Sequence, residues 1–318
     1  MKKTYLYLSF ISLVLVSCKK DENNYQQPLP AGIYDSMIYL QSSVQLIKDI
    51  PYTTRPNFQN KQYTSEQTKE AERTQPTLTP KLDIYLPPNA NTNKKQPLLI
   101  MIHGGGYSAG DKNAWMNEAY TYSRAGYICA TLNYRLTHKG SSPPPELEIF
   151  AIQCALEDIQ NAIRFLKKNA DTYFIDTTRI VTFGGSAGGG LSLLNAVEFD
   201  AAFGTNDHPG MTSKVDGAIS TGACIENTTP PPPPGSYQYD AFDSPILMFH
   251  AKEFDSGGNG YTWTGNAVPT QQAINNSGNS CTLVAQPNMT HTVVLELRGD
   301  YWQYLKPFLW EHLRIDEL

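Results

Sequence analysis

The hydrophobic pattern is a series of short apolar runs that stop abruptly at glycine, proline or polar clusters. Leu98–Ile102 is apolar throughout and ends at His103 and three glycines, and Ile180-Val181-Thr182-Phe183 leads into a second glycine cluster. Runs without polar alternation are the pattern of strands covered on both faces. Val44–Tyr52, Lys81–Pro87, Tyr127–Tyr134, Val215–Ser220, Pro245–His250 and Thr282–Gln286 read as further strands. Between them, apolar residues recur at helical spacing. Glu146–Asn169 carries Ile149, Ile152, Ile159, Ile163 and Leu166, and Trp115–Ala125, Leu191–Val197 and Tyr301–Leu313 read as shorter helices. This alternation predicts an α/β domain with a mostly parallel central sheet and helices on both faces.

Three segments break the pattern. Thr53–Pro80 is polar and aperiodic and reads as an excursion or partial lid. Pro230–Pro234 cannot enter a helix or a central strand, because consecutive prolines lack amide donors and favour polyproline II. With those prolines inside it, Thr221–Ser244 predicts little or no helical cap and an open cleft. At the N-terminus, Lys2 and Lys3 precede the apolar run Tyr5–Val16 and the small Ser17, the layout of a signal peptide. That run is shorter than the roughly 20 residues a membrane-spanning helix needs. Leu15-Val16-Ser17-Cys18 resembles the lipobox of bacterial lipoproteins. The resemblance implies a signal peptide over 1–17, a lipidated Cys18 opening a polar tether over 18–32, and one domain over 33–318. It also implies an exported lipoprotein of the outer membrane, facing either the periplasm or the cell surface, with the lipid as its only membrane contact.

Composition narrows the chemistry. The 318 residues carry a formal net charge of −5 with both signs interspersed, so a nucleic-acid partner is not expected. No HExxH or paired CxxC occurs, so no metal or other cofactor is expected. Cys129, Cys154, Cys224 and Cys281 are read either as buried thiols or as exported disulfides.

Gly184-Gly185-Ser186-Ala187-Gly188 has the GxSxG form between a buried strand and an apolar helix. A sharp strand-to-helix turn pushes such a serine outward as a nucleophile, and only glycine tolerates the backbone crowding on either side. His103-Gly104-Gly105-Gly106-Tyr107 follows another buried strand. Amides of Gly105 and Gly106, with that of Ala187, would form an oxyanion hole, each such donor typically contributing about 3 to 4 kcal/mol. Gly184–Gly190 contains neither GKS nor GKT, which excludes a phosphate loop. Asp111 and Lys112, just past the first glycine loop, read either as cleft lining or as a surface ion pair.

These two glycine motifs, with Leu82-Asp83-Ile84-Tyr85-Leu86-Pro87, Asn133-Tyr134-Arg135, Asp158 and Asp176–Ile180, resemble the esterase and lipase branch of the α/β-hydrolase superfamily. The chain is similar there to hormone-sensitive-lipase-like and acetyl-xylan or feruloyl esterases, from about Val44 to Leu313. The resemblance implies a carboxylic-ester hydrolase working through an acyl-enzyme; an open cleft on a tethered, exported protein points to esters on larger molecules, such as acetyl or feruloyl groups on plant polysaccharides. The resemblance also implies the chain order serine, acid, histidine. Of His208, His250, His291 and His312, His291 lies in the loop after the last strand and takes the role of base. The family's HGxxD corresponds to His250-Ala251-Lys252-Glu253-Phe254-Asp255, which puts Phe254 in the acid's slot. Asp255 is the expected acid, since Val268-Pro269 follows it, and Glu253 is the alternative. An arylformamidase-like amidase, a peptidase, or a non-catalytic glycan-binding surface lipoprotein are the competing readings.

Overall fold

The computed structural model describes residues 30–57, 75–92, 94–137, 145–200, 204–228, 237–257 and 260–318. Residues 1–29, which include Cys18 and the stretches read as a signal peptide and as most of a tether, lie outside the described residues, as do most of the polar excursion and the proline run. Residues Ala31–Leu318 form one unit.

Ten strands are formed: β1 (Gln45–Pro51), β2 (Arg55–Pro56), β3 (Thr77–Leu78), β4 (Lys81–Leu86), β5 (Gln96–Ile102), β6 (Ile128–Leu132), β7 (Ile175–Gly185), β8 (Gly217–Thr221), β9 (Ile246–Ala251) and β10 (Cys281–Gln286). β2 and β3 pair with each other and bracket the polar excursion; the other eight form one sheet in the order β1-β4-β6-β5-β7-β8-β9-β10. β4 is antiparallel to β1 and β6, and every pairing from β6 to β10 is parallel. β5 is buried at all seven positions, as its unbroken apolar run requires.

Five helices cover the sheet: α1 (Met116–Arg124), α2 (Pro145–Lys168), α3 (Ala187–Val197), α4 (Val268–Asn276) and α5 (Trp302–His312). Ile159 and Ile163 of α2, Leu191 and Leu194 of α3, and Ile274 of α4 pack with Ile84, Ile100 and Ile180 on one face. The other face receives α1 and α5, where Tyr122 stands edge-on to Phe183 at 5.5 Å and Tyr301 edge-on to Phe249 at 5.3 Å. Among the described residues no helix lies between β8 and β9.

The α4 helix and the π turn before it, Trp263–Ala267, are absent from the sequence reading. Only Thr270 and Ile274 of α4 are buried, too few to show a period, and Pro269 sits in its first turn, where a missing amide is tolerated. All four described cysteines are buried free thiols, not disulfides.

In a parallel sheet the loops following the strands collect along one edge. The residues after β5, β7, β9 and β10 therefore converge, and these are the loops of His103–Gly106, Ser186, Asp255 and His291.

Candidate active site

Ser186 is the single residue between β7 and α3, at φ 54° and ψ −126°, a left-handed conformation rare for a side chain with a Cβ. Its N–H donates to the Thr221 carbonyl at 2.9 Å, and its carbonyl accepts from the Gly190 N–H at 2.9 Å, which clamps the turn on both sides. A Cβ on Gly184 would lie 2.0 Å from the Gly188 carbonyl oxygen, so the helix can start this close to the strand only with glycine there.

Ser186 Oγ is 2.8 Å from His291 Nε2, and His291 Nδ1 lies 3.0 Å and 2.9 Å from the two carboxylate oxygens of Asp255. A carboxylate accepts, so Nδ1 carries the ring proton and Nε2 is left to accept the Ser186 hydroxyl. Asp255 is 1% exposed, and its Oδ1 also accepts the Gly257 N–H at 2.8 Å. The three side chains form one continuous hydrogen-bonded run from the Ser186 hydroxyl to the Asp255 carboxylate.

Glu253 is not brought to this run. It is exposed, at φ 82°, and its carbonyl accepts the Trp263 N–H at 3.0 Å. Its positive φ absorbs the extra residue relative to HGxxD. The chain kinks, Phe254 bridges to Thr262, the Asp255 N–H donates to the Tyr261 carbonyl at 2.8 Å, and the next carboxylate turns inward.

The histidine loop rests on residues that carry no sequence signal. Gln286, at the end of β10, donates through Nε2 to the carbonyls of Thr290 at 2.6 Å and His291 at 3.0 Å. Thr221, at the end of β8, donates to Gln286 Oε1 at 3.1 Å and accepts the Val293 N–H at 2.9 Å. A Cβ on Gly257 would meet the His291 ring at 2.3 Å, so the acid loop closes directly against the imidazole.

Opposite the histidine, the glycine loop bends at Gly105 and Gly106, where φ is +115° and +57°. A Cβ on Gly104 would lie 3.0 Å from the Ser186 Cβ, which places this loop beside Ser186. Among the described residues no backbone carbonyl takes up the amides of Gly105, Gly106 or Ala187. The Ala187 amide opens α3, where the helix leaves its first N–H groups unpaired and its dipole favours negative charge.

The loop's foundation explains the Asn133-Tyr134-Arg135 piece. Tyr134 stacks on His103 at 4.3 Å and donates its hydroxyl to the His103 carbonyl at 3.0 Å. Burial holds the His103 imidazole below its usual pKa, so it is neutral, and Nδ1–H donates to the Gly104 carbonyl at 2.7 Å. Asn133 accepts the Lys112 N–H at 2.6 Å and donates to Asp111 at 3.3 Å, while Arg135 grips the buried Asp158 at 2.9 Å. Lys112 is 7% exposed and pairs with Asp83 at 2.7 Å and Asp49 at 3.3 Å. Through Asp83 it ties the end of the glycine loop to β4, at the wall of a cavity that His103 and Tyr134 also line. Lys112→Met is expected to destabilise the fold by about 3 kcal/mol, because it strands the Asp83 carboxylate in the interior. Urea denaturation measures it, and a loss near zero would show that water replaces the ammonium.

Among the described residues, no cluster of three or more His, Cys, Asp or Glu is placed to hold a metal ion. A mostly parallel eight-stranded sheet, helices on both faces and a serine turn leaving a central strand together define the α/β-hydrolase fold. The BD-FAE family model matches residues 82–231, the stretch from β4 through the serine turn and beyond β8. Among curated relatives, Endo-1,4-beta-xylanase B of Butyrivibrio fibrisolvens is 30% identical over 141 residues, covering 44% of this chain and 21% of that protein. Esterase LipQ of Mycobacterium tuberculosis is 28% identical over 149 residues, covering 45% of this chain and 31% of that protein. The chain thus spans less than a third of the length of these curated relatives. Among solved structures, a truncated form of a carbohydrate esterase from gut microbiota aligns with a TM-score of 0.60 at 17% identity, over 87% of this chain and 99% of that one. Propionate-bound esterase Est2 of Thermogutta terrifontis aligns at 0.57 and 20% identity, over 76% and 90%.

Proposed function

We propose that this protein is a serine carboxylic-ester hydrolase acting through an acyl-enzyme on acetyl or feruloyl esters carried by carbohydrate. The observation that carries the reading is the hydrogen-bonded run Ser186–His291–Asp255, with the glycine loop packed beside Ser186 and α3 starting directly after it; the amides of Gly105, Gly106 and Ala187 are the oxyanion donors in this reading. As Ser186 Oγ attacks the ester carbonyl carbon, its proton passes to His291 Nε2, and Asp255 stabilises the imidazolium. The carbonyl oxygen becomes an oxyanion held by the amides. Collapse expels the alcohol with the proton returned from His291, leaving the acyl group on Ser186. Water then repeats the sequence, giving up a proton to His291, and the carboxylic acid leaves as Ser186 Oγ regains its own.

The carbohydrate setting is supported by the xylanase and carbohydrate-esterase likenesses and by the lack of a described helix over the sheet between β8 and β9. Hydrolysis of p-nitrophenyl acetate, acetylated xylan and methyl ferulate is the expected result of a substrate panel. Activity confined to long-chain acylglycerols, N-formyl aryl amides or peptides would overturn the substrate class.

The basic, apolar and small residues before Cys18 support export and lipid anchoring as part of this proposal. No described helix is long and apolar enough to cross a membrane. Full-length protein expressed in a bacterial host is expected to partition into detergent and Cys18→Ala into the aqueous phase; equal partitioning would remove the anchor from the account.

A further inference from the structure

His250, near the end of β9, is fully buried and has no role in the steps above. Its Nδ1 lies 3.0 Å from the Ala251 carbonyl oxygen. A carbonyl only accepts, so Nδ1 carries the proton, and in the neutral ring Nε2 is a bare lone pair. That nitrogen is buried without a hydrogen-bond partner, and it lies 4.0 Å from Asp255 Oδ2. Buried polar atoms are nearly always satisfied, so an unpaired one behind a candidate catalytic carboxylate calls for a reason.

The reason lies in how the Asp255 charge is shared. Among the described residues, Oδ1 accepts two N–H groups, from Gly257 and His291, and Oδ2 accepts from His291 alone. A donor at the position of His250 Nε2 would draw Oδ2 away from His291. Three titratable groups matter here: Asp255, His291, and Cys224 on the segment after β8, whose thiol is kept protonated by burial. Burial lowers the His250 pKa and favours the neutral ring; the bond to the Ala251 carbonyl and then Asp255 act against that, and a charged His291 reinforces it.

We propose that His250 is a positioning residue: as a neutral ring it withholds a second donor from Asp255 Oδ2, so that the carboxylate directs its charge at the Nδ1–H of His291. The inference rests on the reading of Ser186, His291 and Asp255 as a catalytic unit, but its test does not depend on hydrolysis.

The test is the titration of His291, followed by ¹⁵N and ¹H NMR of the imidazole rings in the wild-type protein and two variants. His250→Gln carries an amide long enough to donate to Oδ2. It is expected to lower the His291 midpoint by roughly one pH unit, a tenfold change in its proton affinity. The acid limb of kcat/KM should move by the same amount. His250→Asn keeps a donor toward the Ala251 carbonyl but is too short to reach Oδ2, and is expected to leave the midpoint in place. An unchanged midpoint in folded His250→Gln, or equal shifts in both variants, would overturn the proposal. If the variants do not fold, the wild-type ¹⁵N spectrum decides: an unprotonated Nε2 on His250 across the working pH range supports it, and a protonated one contradicts it. A shifted midpoint in a protein that hydrolyses no ester would retain the positioning role and reject the proposed activity.

Discussion

Asp255→Asn is expected to lower kcat by about 10⁴-fold with the fold intact. The asparagine occupies the same buried site, but its NH₂ opposes the proton on His291 Nδ1. The ring then turns to the tautomer whose Nε2 bears hydrogen and cannot accept from Ser186. With the amide oxygen held at the Oδ1 position by the Gly257 N–H, the NH₂ takes the place of Oδ2, 2.9 Å from His291 Nδ1. Glu253→Gln, by contrast, changes an exposed side chain at a kink and should leave kcat unchanged. Steady-state rates on p-nitrophenyl acetate compare the two directly. A loss in Glu253→Gln as large as that in Asp255→Asn would return the acid's role to Glu253.

The second large effect falls on the nucleophile. Ser186→Ala should lose about 10⁶-fold in kcat, as serine hydrolases do when the attacking oxygen is removed. Substrate binding should be nearly preserved, because the amides and the cleft remain. Some rate over water should persist, since the oxyanion donors act without the serine, typically about 10³- to 10⁴-fold. A loss of less than tenfold would mean that the chemistry runs through another group.

The parts of this site that the sequence displays are those made by local geometry. Strand–glycine–helix junctions are short-range events, so Ser186 and the Gly104–Gly106 loop can be read from a few neighbouring residues. His291 follows from its place after the last strand together with the chain order of the resembled family. Asp255 is preferred to Glu253 in the sequence only through the Val268-Pro269 that follows it, because one inserted residue shifts the register; in the structure the positive φ at Glu253 turns the next carboxylate inward. The supports were hidden for a different reason. Gln286 and Thr221 are ordinary polar residues at strand ends, and their hydrogen bonds span 65 positions of sequence. Lys112 and Asp83 are 29 positions apart, and nothing local tells a buried ion pair from a solvated one. The α4 helix was missed because its brief apolar face falls below the length at which a period can be recognised.

Labelling with a fluorophosphonate probe tests the central claim most directly, because it requires an activated nucleophile and asks nothing about the natural substrate. Folded wild-type protein is expected to take up one probe per chain, mapped by peptide mass to Ser186 and lost in Ser186→Ala. Folded wild-type protein that takes up no probe, or a label that maps elsewhere and survives Ser186→Ala, would contradict the account.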